Sequence, residues 1–185
     1  MGKFKFNQTE IPDVYVIEST VFGDERGYFM ETYSEADFKE AGLDYKFVQD
    51  NQSSSRRGVL RGLHFQKEHP QAKLVRVLSG EVFDVAVDLR ENSSTFGKWV
   101  GVLLSAENHK QLMIPRGFAH GFLVVSEKAE FAYKCDEFYH PEDEGGIMYD
   151  SVGIEWPEIE GELILSEKDL KHPRLEELDF KFKEV

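Results

Sequence analysis

Short runs of aromatic and β-branched residues, each closed by a turn signal, recur along almost the whole chain. Nothing else in the sequence constrains the fold as strongly. Runs of this kind form strands, and without long helical segments between them they do not build a parallel α/β sheet. The expected strands are Val14–Ile17, Gly27–Tyr33, Lys46–Asn51, Gly58–Gln66, Lys73–Leu78, Glu81–Asp88, Trp99–Leu104, Gln111–Ile114, His120–Val125 and Ala129–Tyr139. Breaks fall at Gly23-Asp24, Ser79-Gly80, Asn92-Ser93-Ser94, Pro115-Arg116-Gly117 and Gly145-Gly146. One helix is signalled by Ser34 as N-cap, Asp37 three residues on, and Gly42 placed to end it. Ser166 can cap a shorter helical turn through Glu167, Lys168 and Asp169. The fold class that follows is all-β, a sandwich or jelly roll with a few short helices.

A chain of 185 residues buries roughly 70% of its unfolded surface and can fold as one domain, here residues 1–185, without covalent staples. The charged tail after Leu175 is expected to fray. The single cysteine, Cys135, excludes an internal disulfide and any multi-cysteine metal site. No apolar run is long enough to span a bilayer, and the first ten residues lack a signal-peptide core. These features point to the cytoplasm and away from a membrane. The net charge of −13 argues against a nucleic-acid partner, which needs many cationic contacts. Against that acidic background, residues 56–76 carry Arg56, Arg57, Arg61, Lys67, Lys73 and Arg76 with only Glu68 opposing them. A local anionic group such as a phosphate would suit that island; a solvated basic edge strand would produce the same pattern.

Strand parity sharpens the candidates. In the last long strand Phe131, Tyr133 and Cys135 share one face, expected to point inward, so the Tyr133 hydroxyl needs an interior partner or a substrate. In Leu60–Gln66, His64 and Arg61 have opposite parity. For both to face one cavity the strand must bulge or bend near Gly62, and glycine permits that.

Several ordered segments carry a specific resemblance. They are Phe22-Gly23-Asp24-Glu25-Arg26-Gly27, Phe47-Val48-Gln49-Asp50-Asn51 and Gly58-Val59-Leu60-Arg61-Gly62-Leu63-His64. Lys73-Leu74-Val75-Arg76, Gly80 through Asp88, Ile114 through Phe122, and Leu165-Ser166-Glu167-Lys168-Asp169 continue it. From about residue 10 to 175 the chain resembles the dTDP-4-dehydrorhamnose 3,5-epimerase family of sugar-nucleotide enzymes. The resemblance implies a cupin jelly roll. It also implies conversion of dTDP-4-dehydro-6-deoxy-D-glucose to dTDP-4-dehydro-L-rhamnose, with no metal and no other cofactor.

Inverting a carbon beside a ketone needs a base on one face, an acid on the other, and positive charge near the ketone oxygen. His64 suits the base, with an ordinary pKa of about 6.5. The resemblance pairs it with Asp169 and places the acid at Tyr133, a phenol protonated at neutral pH. Lys73 suits the developing enolate oxygen. Taken singly, the same residues read as a hydrogen-bonded core histidine, a core aromatic and a solvated lysine. The resemblance further implies nucleotide or diphosphate contacts from Gln49, Asn51, Arg61, Glu144 and Lys168, stacking of Tyr139 on thymine, and His120 in the sugar pocket. It implies a homodimer in which an N-terminal arm, within residues 1–33, carries Arg26 and Glu31 into the neighbouring subunit's site; residues 166–185 form the helical turn and tail.

Some positions depart from the family pattern. Phe138 stands where many relatives have a second tyrosine, Gly145 where an arginine is frequent, and Tyr149-Asp150-Ser151-Val152 replaces a longer Trp-containing run. Changed loop geometry is the expected consequence, and it leaves enzymes that invert only C3 or only C5 as the nearest alternative. A metal-dependent cupin is disfavoured because His64 and His69 are not in a His-x-His arrangement, and His109, His120, His140 and His172 are scattered. A non-catalytic sugar-nucleotide binder would have no use for His64, Asp169, Tyr133 and Lys73 together.

Overall fold

The computed structural model describes residues 3–183. Met1, Gly2, Glu184 and Val185, parts of the expected arm and tail, lie outside the described residues. The strands in order are β1 (Phe4–Gln8), β2 (Tyr15–Ser19), β3 (Val21–Asp24), β4 (Gly27–Met30), β5 (Gln49–Arg56), β6 (Leu60–Gln66) and β7 (Lys73–Ser79). They continue as β8 (Glu81–Asp88), β9 (Trp99–Ser105), β10 (Lys110–Ile114), β11 (Phe118–Val124), β12 (Lys128–Cys135) and β13 (Glu144–Gly146). One α-helix, α1 (Glu35–Glu40), begins where expected: the Ser34 side chain accepts the Asp37 N–H.

The strands form two antiparallel sheets, one in the order β1-β2-β10-β7-β12-β5 and the other β13-β6-β11-β8-β9, with β3 and β4 as a separate hairpin. This is the expected jelly-roll sandwich. Val75, Leu112, Phe131 and Ala129 of the first sheet meet Val82, Ala86, Val100 and Phe122 of the second in the main core. Both sheets are also covered outside. Helix α1 lays Phe38 over Ile17, Leu74 and Met113, while the C-terminal segment lays Ile147, Ile154 and Phe182 over Leu63, Phe65, Val85 and Val87. Two covered faces explain why β8 and β11 are buried along nearly their whole length instead of at alternate residues.

Several expectations need correction. As far as Phe182 the tail does not fray: Phe182 is buried, bridges to Arg90 and meets the Phe65 ring edge-on. The last long strand stops at Cys135, not Tyr139, because the Asp136 carboxylate turns aside to accept the Ala72 N–H and the Arg116 guanidinium. Strand β5 ends at Arg56, five residues beyond its expected end at Asn51, and reads QDNQSSSR, a polar sequence; it is an edge strand whose inner face lines a cavity. Of the arm, β1 and β2 pair with this chain's own sheet, and only the Val21–Met30 hairpin stands apart from it. Among the described residues no helix is long and apolar enough to cross a membrane.

Candidate active site

Between the two sheets, at the end closed by residues 164–169, lies a cavity of about 620 Å³, within the usual range for small-ligand sites. The closing segment is held by backbone hydrogen bonds: Leu60 N–H to the Ile164 carbonyl (3.0 Å) and Ile164 N–H to the Gly58 carbonyl (2.8 Å). It ends in a tight turn, Asp169–Lys171, where the Ser166 hydroxyl accepts the Asp169 N–H at 3.1 Å. That turn aims Asp169 at His64 on β6. His64 Nε2 lies 2.6 Å from Asp169 Oδ1, which leaves Nδ1 as the ring nitrogen not engaged by the carboxylate. Burial works against ionisation of Asp169, but the neighbouring His172 and His64 imidazoles and the Ser166 contact hold it well below the ordinary carboxylate range.

The expected irregularity in β6 is present. His120 pairs with His64 and Phe122 with Arg61, so β6 carries one extra residue between those pairs. Gly62, at φ +116°, occupies the bulge, and a Cβ there would sit 2.6 Å from Gly121 Cα and the His120 carbonyl oxygen. The bulge reverses parity, and both Arg61 and His64 line the cavity. Arg61 is held by Ser55 Oγ, which accepts from Nε and Nη2 at 3.1 Å each.

The opposite wall comes from the other sheet. Tyr133 on β12 and Lys73 on β7 line the cavity there. Burial raises the Tyr133 pKa above the ordinary phenol value. Burial also pulls the Lys73 ammonium below its ordinary value, opposed by the nearby Cys135, Asp84 and Glu144. In the sheet that carries His64, Asp84 bonds to His120 Nε2 at 3.0 Å; burial raises the Asp84 pKa and His120 opposes the rise.

At the mouth a chain of side chains runs from Asn51 to Lys168. Gln49 Nε2 donates to Asn51 Oδ1 (3.0 Å), Gln49 Oε1 accepts the Tyr139 N–H (3.0 Å), and the Tyr139 hydroxyl donates to Glu144 Oε2 (2.7 Å). Glu144 in turn pairs with Lys168. Burial would raise the Glu144 pKa, but the Lys168 and Tyr139 bonds outweigh it and lower the value.

A model of the family described as dTDP-4-dehydrorhamnose 3,5-epimerase matches residues 8–177. The chain belongs to the dTDP-4-dehydrorhamnose 3,5-epimerase family. The family member of Methanothermobacter thermautotrophicus is 58% identical over 172 residues, covering 91% of this chain and 93% of that protein. The solved dTDP-4-dehydrorhamnose 3,5-epimerase of Elizabethkingia anophelis is 56% identical, with a TM-score of 0.92 over 97% of this chain and all of its own. A structure of the Legionella pneumophila epimerase in complex with dTDP-4-keto-L-rhamnose has a TM-score of 0.94 at 47% identity, covering 98% of this chain and 100% of its own. The jelly roll is therefore the cupin-like one of these epimerases.

The structure brings most of the family-implied residues together. Asn51, Arg61, His64, Lys73, His120 and Tyr133 line the cavity, as do Lys168 and Asp169; Gln49, Tyr139 and Glu144 form its rim. Arg26 and Glu31 do not join them within the protomer: Arg26 is exposed and pairs with Asp24, and Glu31 bonds Lys3 at 2.7 Å. The basic island also disperses. Only Arg61 and Lys73 reach the cavity, because alternate strand residues point away from each other. Of the departures, Gly145 leaves no room for a side chain here, since a Cβ would lie 2.6 Å from the Phe65 ring.

Three residues at the site were not singled out from the sequence. Asp84 was visible as an acid inside an apolar strand, which needs a buried partner. Gln66 organises the mouth, donating to the His69 and Phe138 carbonyls and accepting the His140 N–H. His172 packs edge-on against His64, and nothing in its local sequence signals that.

Proposed function

We propose that the protein inverts C3 and C5 of dTDP-4-dehydro-6-deoxy-D-glucose to give dTDP-4-dehydro-L-rhamnose, on the way to dTDP-L-rhamnose. One observation carries the reading: His64 and Tyr133 stand on strands of opposite sheets and line a single cavity, as a base and an acid working on opposite faces of a sugar ring must. His64 Nδ1 takes the proton from the carbon beside the C4 ketone. The bonding pair moves onto the ketone oxygen as an enolate, next to the Lys73 ammonium. Asp169 accepts from His64 Nε2 and stabilises the imidazolium that forms. Tyr133 then donates its phenolic proton to the same carbon from the other face. Burial suits this role, because it keeps the phenol protonated until the enolate asks for the proton. Solvent exchange resets both groups, and the cycle repeats at the second carbon flanking the carbonyl. The reaction is redox-neutral and calls for no cofactor.

Arg61 suits the diphosphate, since a guanidinium fork matches phosphate oxygens. Tyr139 offers an exposed aromatic face to thymine, with Gln49, Asn51, Glu144 and Lys168 around the nucleotide and His120 bonding a sugar hydroxyl. The Val21–Met30 hairpin exposes Phe22, Tyr28 and Phe29. Exposed apolar rings on a hairpin that joins neither sheet favour a homodimer in which this segment, with Arg26 and Glu31, completes the partner's site. A cytoplasmic enzyme is the matching cellular reading.

The test is NMR of the product formed from dTDP-4-dehydro-6-deoxy-D-glucose with a reductase to trap it. Rhamnose configuration supports double inversion; a product inverted at one carbon places the chain with single-site epimerases, and no inversion removes the proposal. Sedimentation at micromolar concentration tests the dimer, and a fully active monomer would remove that part.

A further inference from the structure

His172 lies three residues beyond Asp169, at the end of the tight Asp169–Lys171 turn, which brings i and i+3 side chains to the same side. Its ring packs edge-on against His64, with centroids 5.5 Å apart and planes at 72°. It seats over Gly146, the β13 residue paired with His64; a Cβ at Gly146 would lie 2.5 Å from His172 Nε2. The side chain is 11% exposed, and its Nε2, 3.7 Å from Asp169 Oδ1, has no hydrogen-bond partner among the described residues. One donor atom each from His64, Asp169 and His172 fall within 4.8 Å of one another. A buried imidazole nitrogen beyond hydrogen-bond distance, yet within ion-pair distance of a carboxylate that already holds a second imidazole, places three donors around one point.

Two imidazoles and a carboxylate are the donor set of a divalent zinc ion with an open fourth position. Zinc bonds of about 2.0–2.2 Å put tetrahedral donors roughly 3.4 Å apart. The distances of 2.6 Å and 3.7 Å to Asp169 Oδ1 straddle that value and no donor pair exceeds 4.8 Å, so a rearrangement on the order of 1 Å closes the site.

We propose that His64, Asp169 and His172 form an inhibitory zinc site inside the catalytic cavity. Zinc takes the lone pair of His64 Nε2, so the neutral imidazole carries its one proton on Nδ1 instead. The ring proton moves from Nε2 to Nδ1; no net charge is gained or lost on the imidazole. The nitrogen that removes the substrate proton is then an N–H donor, and the base is blocked without any covalent change. The inhibitory consequence rests on His64 being the base; zinc binding itself does not.

The test titrates the purified full-length chain with zinc chloride alone by calorimetry, without substrate. Inhibition is then measured by direct NMR of substrate turnover, so that no coupling enzyme is exposed to the metal. The expected result is one zinc per chain, turnover lost in proportion to occupancy and restored by a chelator. His172→Leu and His172→Gln, each checked for fold by circular dichroism, should bind zinc at least about tenfold more weakly. Their inhibition, each relative to its own metal-free rate, should weaken by the same factor. If the leucine variant does not fold, the glutamine variant decides. Unchanged zinc affinity in the folded variants overturns the site, as does a parent chain that binds no zinc. Binding that instead disappears with His69→Ala would assign the metal to the stacked His69–His140 pair, 4.0 Å apart, and overturns it equally. A chain that binds zinc through His172 but never epimerises would keep the site and discard the function.

Discussion

Replacing Tyr133 by phenylalanine removes one oxygen and separates two things that happen on opposite walls of the cavity. The Tyr133 hydroxyl makes no hydrogen bond to protein among the described residues, and its ring would keep its place 5.9 Å from Phe131. The fold should therefore hold, with stability changing by less than about 1 kcal/mol. Inversion should fall by about 10²–10⁴, the contribution of a positioned general acid, which is about 2.7–5.4 kcal/mol of barrier. Proton removal by His64 should survive. In heavy water an enolate formed in Tyr133→Phe has only the His64 face from which to recover a hydrogen, so deuterium should enter the recovered substrate with its configuration retained. The assay follows loss of the C3 and C5 proton signals by NMR while a reductase reports inverted product. Exchange should outrun inversion by one order of magnitude or more. Exchange and inversion falling by the same factor, or inversion at the parental rate, would refute the assignment of acid and base to separate walls.

His64→Ala should lower kcat/KM at least about 10²-fold, and Asp169→Asn should approach it by removing the carboxylate charge that stabilises the His64 imidazolium; both are read in the same NMR assay, with circular dichroism as the folding control. Arg61→Lys keeps the charge but loses the fork that Ser55 holds, so KM should rise about 10- to 100-fold with a smaller change in kcat. Asp88 is fully buried and accepts from Arg90 Nε (3.0 Å), Ser93 Oγ (2.6 Å) and Thr95 Oγ1 (2.7 Å). Burial would raise its pKa, but these donors outweigh it and lower the value. A lowered folded-state pKa gives stability that is present above the unfolded value of about 3.9 and disappears as pH falls through the folded value. Arg90 keeps its pair with Asp13, so Asp88→Asn should cost about 1–3 kcal/mol at pH 7, with a smaller penalty near pH 3, as urea unfolding at the two pH values would report.

Much of the fold was legible because β-type runs and turn dipeptides are local signals. The bulge at Gly62 was legible too, since parity alone demanded it once Arg61 and His64 were assigned to one cavity. Strand β5 was misplaced because its residues are polar on both faces, one lining the cavity and the other outside on an edge, so no apolar alternation marks it. The end of β12 at Cys135 was hidden because Asp136 terminates it through a contact with Ala72, sixty-four residues away in sequence. Charge clustering misled for a related reason: Arg56 and Arg57 lie close to Arg61 in the chain, but only Arg61 reaches the cavity. His172 shows the same limit. It lies 108 residues from His64 in the chain, and only the docking of the 164–169 segment across the sandwich brings the two rings together.

The central claim is that hydrogen leaves each carbon flanking the ketone toward β6 and returns from β12. Turnover of dTDP-4-dehydro-6-deoxy-D-glucose by the parental protein in heavy water, followed by mass spectrometry and NMR of the product hexose, addresses it directly. Deuterium at both C3 and C5 of an L-configured product is the predicted result. Product that keeps its original hydrogen at either inverted centre would contradict it.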